Sequence, residues 1–99
     1  MQNLSESIQQ DIGTVALFRN AFVPLSDSQN DQMLDGMEKV LKATGYEIIL
    51  NESAGWTFRQ PGGNYSYLWF EGEVEAIKHA YSDLLGETDS TNLKAIQQH

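Results

Sequence analysis

The chain holds two histidines, and because His99 is its last residue, a histidine-based reaction falls on His79. Glu75, His79 and Asp83 lie four residues apart, a spacing that puts them on one side of a helix, where they can hold a metal ion or orient an imidazole. The same helix carries Val74, Ile77, Tyr81 and Leu84 on its opposite side. The polar trio is therefore expected to face solvent, with no wall to exclude water and with Lys78 beside it to pair with the carboxylates. An enzyme using His79 is the weakest of the functional readings. The serines stand in cap and turn contexts without a nucleophile elbow, and Gly62-Gly63 is followed by neither a helix start nor a lysine, as a phosphate loop would require. With no cysteine, disulfides, thiolate zinc sites and cysteine nucleophiles are excluded together. No catalytic residue, metal or cofactor is expected.

Two other groups of residues stand out. Asp27, Asp31, Asp35 and Glu38 follow one another at steps of four, four and three along one side of a predicted helix. Carboxylates one turn apart are roughly 6 Å from each other, comparable to phosphates along a nucleic-acid strand. Together with Glu71, Glu73 and Glu75 they describe a phosphate-like surface, as in an acidic inhibitor that mimics nucleic acid and occupies the basic groove of a nucleic-acid-binding protein; a solvated helix face is the plainer explanation. The second group is Trp56, Phe58, Tyr65, Tyr67 and Trp69. If residues 61–64 form a turn, Gln60 pairs with Tyr65, Phe58 with Tyr67 and Trp56 with Trp69, and all five aromatics share one sheet face. Leu68 and Phe70 then project from the reverse face, beside Thr57, Arg59 and Ser66.

The elements that position these groups are read from periodicity. Leu4, Ile8, Ile12, Val15, Phe18 and Phe22 form one helical stripe that Val23-Pro24 ends; Asn3 and Glu6 are spaced as a capping box, and Gly13 is a weak point within it. Ser26 and Gln29 mark a second start, followed by Met33, Leu34, Met37, Val40, Leu41 and Thr44 on one face and by Gly45 as terminator. Gly36 at the edge of that face leaves room for another element. Segments 46–50, 56–60 and 65–70 are rich in aromatic and branched residues and read as three strands of an antiparallel meander. Glu71-Gly72-Glu73 opens a third helix that Gly86 ends.

The expected fold is thus α+β, in the order α-α-β-β-β-α, with residues 1–86 as one domain and 87–99 as a polar tail or a short terminal helix capped by Ser90. The helix–meander–helix part matches the element order of double-stranded RNA-binding domains. The basic cluster that those domains place at the start of their last helix is here Glu71, Glu73 and Glu75, so the match is one of order alone. Fourteen acidic against six basic side chains give a net charge of −8, which opposes contact with phosphate backbones and anionic membranes. The first residues lack a basic start with an apolar run, and no stretch approaches a membrane span, so a soluble, cytoplasmic protein is expected. The composite expectation is a small acidic binding or adaptor protein that contacts a protein partner or a second copy of itself, and binds neither nucleic acid nor membrane directly.

Overall fold

Ser5, rather than Asn3, opens the first helix: its hydroxyl accepts a hydrogen bond from the Ile8 N–H at 3.3 Å. In the computed structural model, which describes residues 5–66 and 68–87, this helix α1 spans Glu6–Arg19 without interruption at Gly13. It stops three residues short of Phe22. The backbone N–H and the side-chain amide of Asn20 both donate to the Ala16 carbonyl, a local side-chain bond that competes with further helix. Phe22 consequently leaves the predicted stripe and is fully exposed. Val15 is buried, and Ile8, Ile12 and Phe18 pack against the core.

Helix α2, Asp27–Ala43, carries the predicted capping box in full: the Gln29 N–H donates to the Ser26 hydroxyl at 3.1 Å, and the Ser26 N–H donates to the Gln29 side chain at 2.9 Å. Its far end is a Schellman motif, in which Gly45 N–H bonds Lys42 O and Tyr46 N–H bonds Leu41 O. Gly45 has φ +96°, the left-handed conformation that this motif demands. Helix α3, Glu73–Leu84, ends the same way, with Gly86 N–H on Asp83 O and Glu87 N–H on Ser82 O. Arg19, in the last turn of α1, forms a two-pronged ion pair with Glu87, fastening the ends of α1 and α3 together.

Strands β1, Glu47–Asn51, and β2, Gly55–Arg59, pair antiparallel with Ile48 opposite Phe58 and Leu50 opposite Trp56. The turn between them is organised by Asn51, whose side-chain oxygen accepts from the N–H groups of Ser53 and Ala54. The predicted third strand does not form as a regular strand. Among the described residues the sheet has two strands, and the 65–70 segment pairs with β2 through isolated bridges at Arg59–Tyr65 and Trp56–Phe70. Between these bridges β2 advances three residues while the facing segment advances five, so two residues bulge out. Side chains take over the bonding there. Thr57 Oγ1 donates to Leu68 O at 2.9 Å, and the Leu68 N–H donates to Ser66 Oγ at 3.0 Å. At the far bridge the chain passes so close to β2 that a Cβ on Gly55 would lie 2.6 Å from the Phe70 carbonyl oxygen. Without a third strand, the match of element order to double-stranded RNA-binding domains lapses.

The core joins Val15 of α1, Met33, Met37, Val40 and Leu41 of α2, Phe58 of β2, and Ile77, Ala80 and Tyr81 of α3. Gly36 performs the predicted service: it is buried, and a Cβ there would meet Val15 Cγ2 at 2.9 Å, so α1 and α2 approach each other through it. No helix among the described residues is long and apolar enough to cross a membrane. Leu4 and the 88–99 part of the expected tail or terminal helix lie outside the described residues.

Candidate protein interface

The register gives each face of the sheet its residues. Tyr46, Ile48, Phe58 and Phe70 are on or packed against the core, on the side where α3 lies. The opposite side carries Glu47, Ile49, Thr57 and Arg59, together with Tyr65 as the bridge partner of Arg59. None of these joins the apolar core cluster, but Thr57 is fully buried and Ile49 and Arg59 are partly buried.

The five aromatics expected on one face are divided by the bulge. Phe58 is 1% exposed and belongs to the core. Trp56 is partly buried in the row Leu50–Trp56–Phe70. Tyr65 faces Arg59 instead of Gln60, which moves it to the outer side, where it is 55% exposed. Trp69 precedes Phe70, and because Phe70 pairs with Trp56 toward the helices, alternation directs Trp69 outward; it is 49% exposed. Trp69 therefore does not pair with Trp56. Tyr67 lies outside the described residues. The expected partner of Tyr65, Gln60, donates its N–H to Asn64 O within the 61–64 turn and its side-chain amide to Asp83.

On this outer face Arg59 is held from two directions. It forms an ion pair with Glu47, its cross-strand neighbour, and its guanidinium lies 5.7 Å from the centre of the Tyr65 ring. Arg59 becomes a candidate site residue only once the register is known, because the sole sequence signal is its opposite charge to Glu47 on a neighbouring strand, and spacing does not fix the offset between the two strands.

Asp27, Asp31, Asp35 and Glu38 on α2 and Glu71, Glu73 and Glu75 at the start of α3 are all exposed. The two helices bring part of this set together. Partial burial first, then the charges of Glu73 and Asp35, push the Glu38 carboxyl above its ordinary value. Asp35 is paired with Lys39 one turn away at 3.1 Å, and that hydrogen bond raises the Lys39 ammonium.

On the polar side of α3, Glu75 and His79 are exposed, as the spacing suggests, whereas Asp83 is drawn inward. The His79 ring stacks on Phe70 with centroids 4.5 Å apart. Asp83 is half-buried and accepts hydrogen bonds from Tyr46 Oη and Gln60 Nε2. One of the two carboxylates that spacing assigns to His79, Asp83, thus also holds the sheet, and no metal-binding group of three is found among the described residues. Comparison with protein-family models, curated proteins and solved structures found no match.

Proposed function

We propose that this chain is a small acidic protein-binding module that engages a partner protein through the outer face of its sheet, with Tyr65, Trp69 and Arg59 as the central contacts. The observation that supports this reading is the exposure of two large aromatics: the apolar core residues of the sheet face the helices, while Tyr65 and Trp69 remain about half exposed. Aromatic side chains and arginine are the residues in which binding energy concentrates at protein interfaces. Arg59, already held by Glu47 and Tyr65, sacrifices little freedom on binding. In the test, wild-type protein and a Tyr65→Ala/Trp69→Ala variant of unchanged circular dichroism are immobilised and exposed to the same extract. A protein retained by the wild type and bound about tenfold more weakly by the variant supports the assignment; identical retained sets reject it.

A second reading has its own support. The Glu38 carboxyl is raised first by burial and then by the charges of Glu73 and Asp35, so acids of α2 and α3 lie near one another, as a nucleic-acid-mimicking surface needs. Its target would be a nucleic-acid-binding protein. Replacing Asp31, Asp35 and Glu38 by lysine is expected to abolish that binding while leaving Tyr65 and Trp69 intact; unchanged affinity for the target rejects this second reading.

A further inference from the structure

The backbone bonds of β2 determine which groups β1 leaves open. The Trp56 N–H donates to Phe70 O at 2.8 Å, the Phe70 N–H donates to Trp56 O at 2.7 Å, and the Ser66 N–H donates to Phe58 O at 2.9 Å. Trp56 and Phe58 therefore direct their peptide groups away from β1. Alternation turns those of Gly55, Thr57 and Arg59 toward it, where they meet Asn51, Ile49 and Glu47. The N–H and C=O groups of Ile48 and Leu50 must then point to the free edge of the sheet, four groups in all, and they have no backbone partner among the described residues. A groove of about 340 Å³ runs beside this edge, between β1 and the last turns of α2, lined by Leu41, Lys42, Tyr46 and Ile48 among others. At the other end of the same strand, Leu50 is 51% exposed.

We propose that two copies of the chain pair through β1, edge to edge and antiparallel, about a twofold axis at Ile49. The edge is complementary to itself in one register. With Ile48 opposite the partner's Leu50, and Leu50 opposite the partner's Ile48, every outward N–H and C=O of both strands is bonded, giving four interchain hydrogen bonds. A shift by two residues one way sets Ile48 against the partner's Ile48 and calls on Tyr46, whose N–H is already bonded to Leu41 O; the other way it sets Ile48 against the partner's Glu52, in the turn beyond the strand. In the favoured register Glu47 faces the partner's Asn51, so no carboxylate opposes its own copy across the pair despite the net charge of −8. Leu50 of each copy comes beside Ile48 of the other, at the mouth of the groove. The exposed leucine and the groove thereby account for each other, and an open apolar edge strand is closed.

The paired edge is small against the roughly 1,600 Å² of a standard interface, so the dimer is a weak one that grows with protein concentration. It uses the edge opposite Tyr65 and Trp69 and stands independently of the partner-binding reading. The test places charge at the axis, where residue 49 meets itself. Sedimentation equilibrium of the full chain is expected to show dimer for the wild type and for Tyr65→Ala/Trp69→Ala. Ile49→Lys and Ile49→Glu should each dimerise at least about tenfold more weakly, and their equimolar mixture should recover the dimer, because lysine then faces glutamate. A wild type that stays monomeric at every concentration overturns the proposal. So does undiminished dimerisation of the single variants, or a mixture that associates no better than its components.

Discussion

Asp83 Oδ2 accepts hydrogen bonds from Tyr46 Oη at 2.7 Å and from Gln60 Nε2 at 2.8 Å, so one oxygen ties the end of α3 to the residue before β1 and the residue after β2. Removing it strands two half-buried donors. Asp83→Ala is expected to lower unfolding free energy by roughly 1.5–3 kcal/mol, the range for hydrogen bonds to a charged group; a urea midpoint equal to that of the wild type would refute this role. The same contact has a pH signature. Burial first, then the bond to Asp83, raises the Tyr46 phenol well above its ordinary value. As pH climbs past the ordinary tyrosine range of about 10, the unfolded chain loses this proton while the native state keeps it. The native state then binds more protons, so the stabilisation, complete below that range, drains away above it. Tyr81, raised chiefly by burial, adds in the same direction. Tyr46→Phe should flatten part of the alkaline fall in urea midpoint, and a fall as steep as that of the wild type would count against the assignment.

At the scale of elements, the contact of α1 with α2 depends on the missing side chain of Gly36 and on Val15, a β-branched residue with little freedom to yield. Gly36→Ala is expected to cost about 1–3 kcal/mol through overpacking, offset by at most about 1 kcal/mol of improved helix propensity. Adding Val15→Ala should cost less in that variant than in the wild type, because the truncation relieves the clash; strictly additive denaturant midpoints would exclude it. Gly36 was legible in the sequence because its position at the edge of an apolar stripe follows from helical spacing alone. So were both ends of α2, since Ser26–Gln29 and Gly45 act within a few residues. The third strand was not legible: Thr57 Oγ1 and Ser66 Oγ compete with the ladder across a gap that alternation cannot reveal, and the resulting bulge sends Phe58 inward and Tyr65 outward. The end of α1 was missed for a related reason, a side-chain bond from Asn20 back to Ala16. Of the candidate sites, the acids were readable because helix spacing fixes their side, whereas the aromatics depended on a register.

The whole molecule must fold against its own charge of −8, and Glu38 is where the acids of two helices meet. Its raised carboxyl has a definite sign. The native state holds the Glu38 proton to higher pH than the unfolded chain does, so stability from this group is present at low pH and is lost as pH rises through the raised value. Glu87 works in the opposite sense: its bond to Arg19 lowers its carboxyl, so its contribution is present above the ordinary carboxylate range and disappears on acidification. Glu38→Gln keeps the shape of the side chain and removes the charge. It should raise the thermal midpoint at neutral pH, and the gain should vanish below the ordinary carboxylate range, where the wild-type residue is itself neutral. Salt should reduce only the share of the gain owed to Glu73 and Asp35, since a Debye length of about 10 Å at 0.1 M screens exposed charges but leaves the desolvation of Glu38 in place. Thermal midpoints of the two proteins across pH and salt distinguish these shares. A lower midpoint for the variant at neutral pH, or a gain that persists unchanged in acid, would mean that the acids of α2 and α3 do not converge, and the nucleic-acid-mimicking reading would lose its electrostatic support with them.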